Sequence, residues 1–402
     1  MSNSVIYLDN NATTAVAPEV FEAMKPFLTA EYANASSIYP FASEPLHAIA
    51  KARGQMASLL GCTPDEVIFT SCGSESDNAA LRSAIKTQAG RRRILTTAVE
   101  HPAILNTCRD LVKYAGIHVD YLSVDKFGRI DLDEAKALIS EDTALVSVMF
   151  ANNEIGNLYP IRELSHLAHE KGALFHTDAV QAIGKVKIDL SNDLKDVDFL
   201  SLSGHKFHAP KGIGVLFKRR FAPFAPYLTG GHQEHQLRAG TENVAYIAGL
   251  GKAAELAAIN LEEENTRVKA LRDKLQDGLL ATCPDAAVNG DLEHRLPNTV
   301  NIGFKYIEGE AILLRLWDRA HICASSGSAC TTGSLEPSHV LRALGLDYKS
   351  LHGSIRFSLS HYNTEAEIDR VLEVVPPVIR NLRDLSPFGR SKVSRGKLGL
   401  ET

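Results

Sequence analysis

The chain has 402 residues, 45% hydrophobic and 23% charged, the mixture of an ordinary globular protein rather than a disordered, collagen-like or coiled-coil one. At ~150 residues per domain the length allows two to three domains, with chain enough for a substantial core. Lys and Arg total 43 against 48 Asp and Glu, and the net charge of -5 speaks against nucleic acid or an anionic membrane as partner.

Short apolar runs alternate with helix-like stretches from about residue 65 to 220. The predicted strands are Val67–Ser71, Arg93–Thr97, Val119–Val124, Ala144–Phe150, Ala173–Thr177, Phe199–Ser203 and Gly214–Phe217. Each is short and mostly apolar, as strands covered on both faces are. Helical stretches such as Glu75–Thr87 and Pro160–Lys171 lie between most of them. The alternation predicts an α/β fold with a mainly parallel sheet. After residue 243 the texture changes. Asn243–Ala281 reads as one long helix, Pro297–Phe304 as strand, Gly309–Asp318 as helix and Ile355–Leu359 as strand. Thr364–Leu382 is helical, with Thr364 and Glu367 spaced as a capping box, and Pro376-Pro377 should break or kink it. A smaller α+β domain is expected here, and 386–402 reads as a polar tail.

Open α/β sheets bind ligands beyond the carboxyl ends of their strands. Five predicted strands are followed there by chemistry-bearing residues: Gly73-Ser74 opening a helix, His101, Asn152-Asn153, Asp178, and His205-Lys206. Each has a plain alternative: a turn and cap, a structural histidine, a cap, a salt-bridge partner, a surface lysine. Together they suggest one assembled site. A helix start with glycine can cradle a phosphate. Asp178, among apolar neighbours, wants a cationic partner, which a protonated pyridine nitrogen provides. Lys206, between Gly204 and Pro210, is placed to form a covalent imine. Phosphate site, carboxylate and lysine together describe pyridoxal phosphate. His101 could then cover the ring and exchange protons.

No run approaches the ~18 apolar residues of a membrane-crossing helix. The opening residues lack a basic region followed by an apolar stretch, so a cytoplasmic protein with reduced thiols is expected. Six cysteines without CxxC spacing do not make a disulfide framework. Five of them read as packing or turn residues. Cys330 differs: it sits in Ala324-Ser325-Ser326-Gly327-Ser328-Ala329-Cys330-Thr331-Thr332-Gly333-Ser334, a run of small residues without periodicity. Such a run predicts a loop, and Cys330 is the candidate reactive thiol. Arg356, in an apolar strand, is either a structural ion pair or a clamp for a substrate carboxylate.

Leu8-Asp9-Asn10-Asn11-Ala12-Thr13-Thr14, Ser203-Gly204-His205-Lys206 and Ser325-Ser326-Gly327-Ser328-Ala329-Cys330 resemble cysteine desulfurases of the NifS/IscS group, within the class-V aminotransferases. The resemblance runs from about Tyr7 to Pro387. It is most similar to the NifS branch that serves nitrogenase maturation, through segments such as Tyr306-Ile307-Glu308-Gly309-Glu310 and Ser334-Leu335-Glu336-Pro337-Ser338-His339. It implies a homodimeric fold-type-I transferase with a seven-stranded sheet. Its large domain would span 15–258, and its small domain 1–14 with 259–385. Carried over by motif, Lys206 would hold pyridoxal phosphate, Asp178 would pair its ring nitrogen, and Gln181 would bond its phenolic oxygen. Gly73, Ser74, Ser203 and His205 would hold the phosphate, and Thr241 would reach that of the partner subunit. His101 would stack on the ring, Asn153 and Arg356 would orient L-cysteine, and Cys330 would take the sulfur for an iron-sulfur scaffold protein. Two positions depart from the family: Ala35 where proline is usual, and His235 where a basic residue, often arginine, is common.

Other readings remain open on the sequence. A selenocysteine lyase or an aminotransferase would share the cofactor. Gly249-Leu250-Gly251-Lys252-Ala253-Ala254 fits a dinucleotide-binding spacing, but within a helical stretch rather than after a strand. The pairs His205/His208 and His232/His235 could suggest zinc but lack a convincing third ligand. A scaffold that binds iron through cysteine is a third possibility.

Overall fold

The computed structural model describes residues 5–326 and 337–387. Strand β1 (Ile6–Tyr7) and helices α1 (Pro18–Thr29) and α2 (Ser43–Leu60) lead into an alternating run. That run is β2 (Val67–Thr70), α3 (Gly73–Thr87), β3 (Arg93–Thr97), α4 (Pro102–Ala115), β4 (His118–Leu122), α5 (Leu132–Leu138), β5 (Thr143–Ser147), α6 (Ile161–Glu170), β6 (Leu174–Asp178), β7 (Phe199–Ser203) and β8 (Gly214–Lys218). All seven predicted strands form one sheet in the order β2-β8-β7-β6-β5-β3-β4. Strands β3 to β7 pair in parallel, and β8 runs antiparallel to both its neighbours.

Alternate residues of these strands serve two separate cores, because successive side chains point to opposite faces. Ile68, Ile94, Leu145, Leu174, Phe199 and Leu216 pack on one face. Phe69, Leu95, Val146, Phe175, Leu200 and Val215 pack on the other. This is why the strands read as nearly continuous apolar runs.

The chain continues through α7 (Val244–Glu263), α8 (Lys269–Thr282), β9 (Ala286–Val288), β10 (Thr299–Phe304), α9 (Gly309–Ala320), β11 (Ile322–Cys323), β12 (Ser325–Ser326), α10 (His339–Ala343), α11 (Tyr348–Leu351), β13 (Ser354–Ser358) and α12 (Glu365–Leu385). A second, antiparallel sheet has the order β12-β13-β10-β9. Its core joins Val300, Ile302, Ile355 and Phe357 to Leu275, Ile312, Ile368 and Ile379, together with Ile6 and Leu8.

Two expectations are corrected. The helix expected as a single rod over Asn243–Ala281 contains a π-helical turn at Glu264–Val268. Helix α12 is not broken by Pro376-Pro377. Each proline in a helix interior costs about 3 kcal/mol. Ile368, Val371, Val375, Val378 and Ile379 are all buried along this helix, and each buried aliphatic side chain contributes about 1.5–3 kcal/mol. Their packing outweighs the lost hydrogen bonds. The capping box is present as expected, with Thr364 Oγ1 accepting from Glu367 N.

By length and apolarity alone, Val244–Thr282 could cross a membrane. Here it packs within the protein: a Cβ on Gly251 would lie 2.6 Å from the Ala52 Cα, and one on Gly249 equally close to Met24. The dinucleotide-like spacing lies inside α7, and no strand precedes it there.

The N-terminal segment ties the two sheets together. The Leu8 amide donates to Cys323 O and the Ser358 amide donates back to Leu8 O. Six residues on, the Thr14 amide donates to His205 O, at the end of the large sheet.

Candidate active site

The carboxyl ends of the parallel strands open on a cavity of about 340 Å³. Gly73, Ser74, His101, Asn153, Asp178, Gln181, Ser203, His205 and Lys206 line it from the large sheet, and Arg356 enters from β13. Ten of the twelve expected site residues are thus brought together. Thr241 is exposed in the segment before α7 and does not line the cavity. Cys330 lies outside the described residues. The segment bearing it nevertheless has described ends. Ser325 pairs with Arg356 in the second sheet. At the far end, Ser338 Oγ donates to Glu154 Oε2 at 2.5 Å, and His339 Nε2 lies 2.8 Å from Glu100 O. Both ends flank the cavity.

The fifteen-residue helix α3 begins at the cavity, two residues earlier than expected. Its N-cap residue, Cys72, makes no side-chain cap bond, so the first-turn amides are directed at the cavity. Gly73 is required: a Cβ there would lie 2.7 Å from Val180 Cγ2 and 3.6 Å from Ser203 Cβ. Ser203 and His205 complete this wall. Burial and the neighbouring lysines, Lys206 foremost, push the His205 pKa down to about 4, leaving it neutral. Its Nδ1 lies 3.1 Å from Thr13 Oγ1. A concave wall of amides, a hydroxyl and a neutral imidazole suits a phosphate.

The opposite end is acidic. Asp178 and Asp77 are both buried, and with His101 they place one polar atom each within 4.8 Å of one another. Burial raises the Asp178 pKa, opposed by His101, by the Val180 amide and by Lys206. Asp77 is raised well above the usual carboxylate range, by burial and then by Asp178. Its Oδ1 has no hydrogen-bond partner. Beneath them His176 is held between Ser147 Oγ and Ser201 Oγ, each at 2.9 Å, and burial lowers its pKa to about 3. A neutral imidazole cannot compensate the carboxyl pair, so this end suits a cationic N–H donor.

His101 caps α4 by accepting the Ala103 amide proton at Nδ1, 3.1 Å away, so the neutral ring carries its hydrogen on Nε2. Its exposed edge faces the cavity. Burial lowers its pKa, Asp178 opposes this, and Lys206 and His339 add to it.

Lys206 Nζ donates to Asn11 O at 2.7 Å and Ala12 O at 2.9 Å. Burial and then Arg356 lower its pKa to about 8, against Asp178 and Asp9. A neutral, nucleophilic amine is therefore within reach near neutral pH. Arg356 Nη1 donates to Asn153 O at 2.8 Å and Nη2 to Asp9 Oδ1 at 2.7 Å, while its buried Nε has no partner. A planar donor fork with a spare N–H suits a small carboxylate.

Asn11, Ala12, Cys72, Asp77, Met149, Ala151 and Val180 complete the lining and were not singled out from the sequence. Asp77 lies one helical turn beyond Gly73 on α3, and the sequence does not mark which face of that helix the sheet covers. Asn11 contributes backbone oxygen, for which residue type gives no signal. The histidine pairs find other roles: His208 Nδ1 lies 3.0 Å from Ala15 O, and His232 and His235 are exposed. The five cysteines among the described residues are all free.

The family model for aminotransferase class-V matches residues 6–371. The chain belongs to the class-V aminotransferase family. A cysteine desulfurase of Nostoc sp. (strain PCC 7120) is 57% identical over 385 residues, covering 96% of this chain and 95% of the relative. The cysteine desulfurase NifS of Azotobacter vinelandii is 56% identical over 384 residues, 95% of this chain and 94% of that one. A solved NifS-like protein superposes with a TM-score of 0.88 at 38% identity, covering 94% of this class-V chain and all of the other.

Proposed function

We propose that the protein is a pyridoxal-phosphate-dependent cysteine desulfurase that converts L-cysteine to L-alanine and captures the sulfur as a persulfide on Cys330. The observation that carries the reading is the single cavity between an amide-lined wall at Gly73 and an acidic end at Asp178, with the amine of Lys206 between them. The identity to cysteine desulfurases over nearly the whole chain supports it.

Gly73, Ser74, Ser203 and His205 would hold the phosphate, Asp178 the ring nitrogen, Gln181 the phenolic oxygen, and Lys206 the aldehyde carbon. Bound there, pyridoxal phosphate supplies an electron sink for bonds broken at the substrate's α-carbon. Arg356 would hold the substrate carboxylate, beside Asn153. Lys206 Nζ would take the α-proton. His101 Nε2 would exchange a proton with the departing fragment. The Cys330 thiolate attacks the substrate sulfur: an S–S bond forms as the C–S bond breaks, and the carbon skeleton leaves as alanine. The persulfide then passes to a second thiol on an acceptor protein.

The remaining parts of the reading are also proposals. The chain would act as a cytoplasmic homodimer, with Thr241 reaching the partner's phosphate site. Residues 15–258 would form the large domain, and 1–14 with 259–385 the small one. The acceptor would be an iron-sulfur scaffold, and the similarity to NifS favours nitrogenase maturation.

Replacing Cys330 with Ala tests the core of the proposal. Alanine and persulfide formation from L-cysteine should fall by at least about a thousandfold, as for loss of a nucleophile, while the yellow colour of bound cofactor is kept. Unchanged alanine formation would refute the role of Cys330 and leave an aminotransferase or a lyase.

A further inference from the structure

We infer that Lys185 is a positioning residue for Gln181: from behind the cavity wall it fixes which end of the Gln181 amide faces the cofactor. The inference rests on the cofactor reading proposed above.

The two ends of a glutamine amide have the same shape, so its orientation is decided by its partners. Lys185 Nζ lies 3.2 Å from Gln181 Oε1 and 3.1 Å from the Gln181 backbone oxygen. An ammonium has donors only, so the carbonyl end must face it. The NH2 end is thereby turned the other way, where it donates to Asn11 O at 2.9 Å, beside Lys206. Lys185 and Gln181 are only 6% and 4% exposed, so bulk water competes little with these contacts.

A buried lysine needs support for its charge. Here it comes from the π-helical turn at Glu264–Val268. Such a turn inserts one residue into the helical ladder and is common at functional sites. Asn265 Nδ2 donates to Lys185 O at 2.9 Å, which holds the lysine's backbone. Burial lowers the Lys185 pKa to about 7; the buried Glu264 carboxylate opposes this and favours the ammonium, while Lys206 and Arg356 add to the lowering. Lys185 and Glu264 both line a cavity of about 30 Å³, room for about one water, whose wall also includes Lys206. Glu264 Oε1 accepts from the amide and ring of His361, and Oε2 has no hydrogen-bond partner. The π-turn, Lys185 and Gln181 thus form one line of contacts ending at the cofactor's oxygen.

Without Lys185 only the Asn11 oxygen still opposes a turn of the amide oxygen toward that site. The cofactor oxygen would then lose a donor and face a second acceptor. A donated hydrogen bond stabilises the oxygen as an anion, so its loss raises the apparent pKa of the bound cofactor.

The test is an absorbance titration of purified, cofactor-loaded enzyme across pH, comparing wild type with Lys185→Met. The apparent pKa of the cofactor band should rise by at least about half a unit, and cofactor loss on dialysis should quicken roughly tenfold, the size of one charge-influenced hydrogen bond. A merely structural role would change melting temperature without moving the titration. Superimposable titrations from a folded Lys185→Met protein overturn the inference. If that variant does not fold, Glu264→Gln takes its place; a smaller shift in the same direction supports the inference, and none overturns it. A wild-type protein that takes up no pyridoxal phosphate would instead defeat the cofactor reading itself.

Discussion

Arg356 is 8% exposed and divides its guanidinium between Asn153 O and Asp9, while its buried Nε has no partner. Asp9 keeps the charge compensated while the site is open to solvent. A ligand carboxylate then adds a hydrogen bond without stranding a buried cation. Arg356→Met removes that bond, worth about 1.5–3 kcal/mol for a charged pair. The KM for L-cysteine should therefore rise roughly ten- to hundredfold. A KM within twofold of wild type in steady-state assays would remove Arg356 from substrate binding. Asp77 makes a different point at this scale. Burial, and then Asp178, raise its pKa well above the usual carboxylate range, which favours the protonated form that Asn mimics. Asp77→Asn should leave cofactor affinity within about threefold, measured by fluorescence titration, whereas Asp178→Asn would remove the charge proposed to pair the ring nitrogen and should lower kcat by at least about a hundredfold.

At the level of elements, helix α3 carries much of the site. Gly73 lets its first turn pass under Val180, and its amides face the cavity. In Gly73→Ala a Cβ lying 2.7 Å from Val180 Cγ2 forces the turn outward. Pyridoxal phosphate should bind about tenfold more weakly, with far-UV circular dichroism unchanged; equal affinity would show that the turn is not the phosphate cradle. The strands were legible from the sequence because burial on both faces demands apolar runs bounded by turn residues. Gly73, Asp178 and Lys206 were legible because strand ends are where an open α/β sheet gathers polar groups. Asp77, Asn11 and Lys185 were not. The first depends on which helix face the sheet covers, the second acts through its backbone, and the third sits behind the wall it supports. The Pro376-Pro377 pair misled because a local rule gives no measure of the packing that α12 gains along its length.

For the whole molecule, the ties between distant segments govern stability. Arg129, in the loop after β4, holds Asp291, between β9 and β10, through two bonds of 2.7 and 2.9 Å. Asp291 is almost fully buried, and the Arg129 hydrogen bonds, chiefly, bring its pKa down to about 2. Its folded pKa lies below the unfolded value of about 3.9, so its contribution is complete above pH ~4. It is lost as pH falls toward 2. The gap in melting temperature between wild type and Asp291→Asn should be constant from pH 7 to 5 and shrink between pH 4 and 2. A gap that does not narrow over that window would mean the tie is not electrostatic.

The N-terminal segment gives the site a particular order of assembly. Asn11 and Ala12 emerge first from the ribosome, yet Lys206, which they hold, lies almost two hundred residues later. The Cys323 and Ser358 backbones that fix Leu8 and Asn10 are made later still. A chain still in synthesis can pack the large sheet, but it has no anchored segment to close over Lys206. On the proposed cofactor reading, capture would belong to the finished chain, and a nascent polypeptide stalled short of Ser358 should leave pyridoxal phosphate in solution. The first residues translated are among the last to find their place.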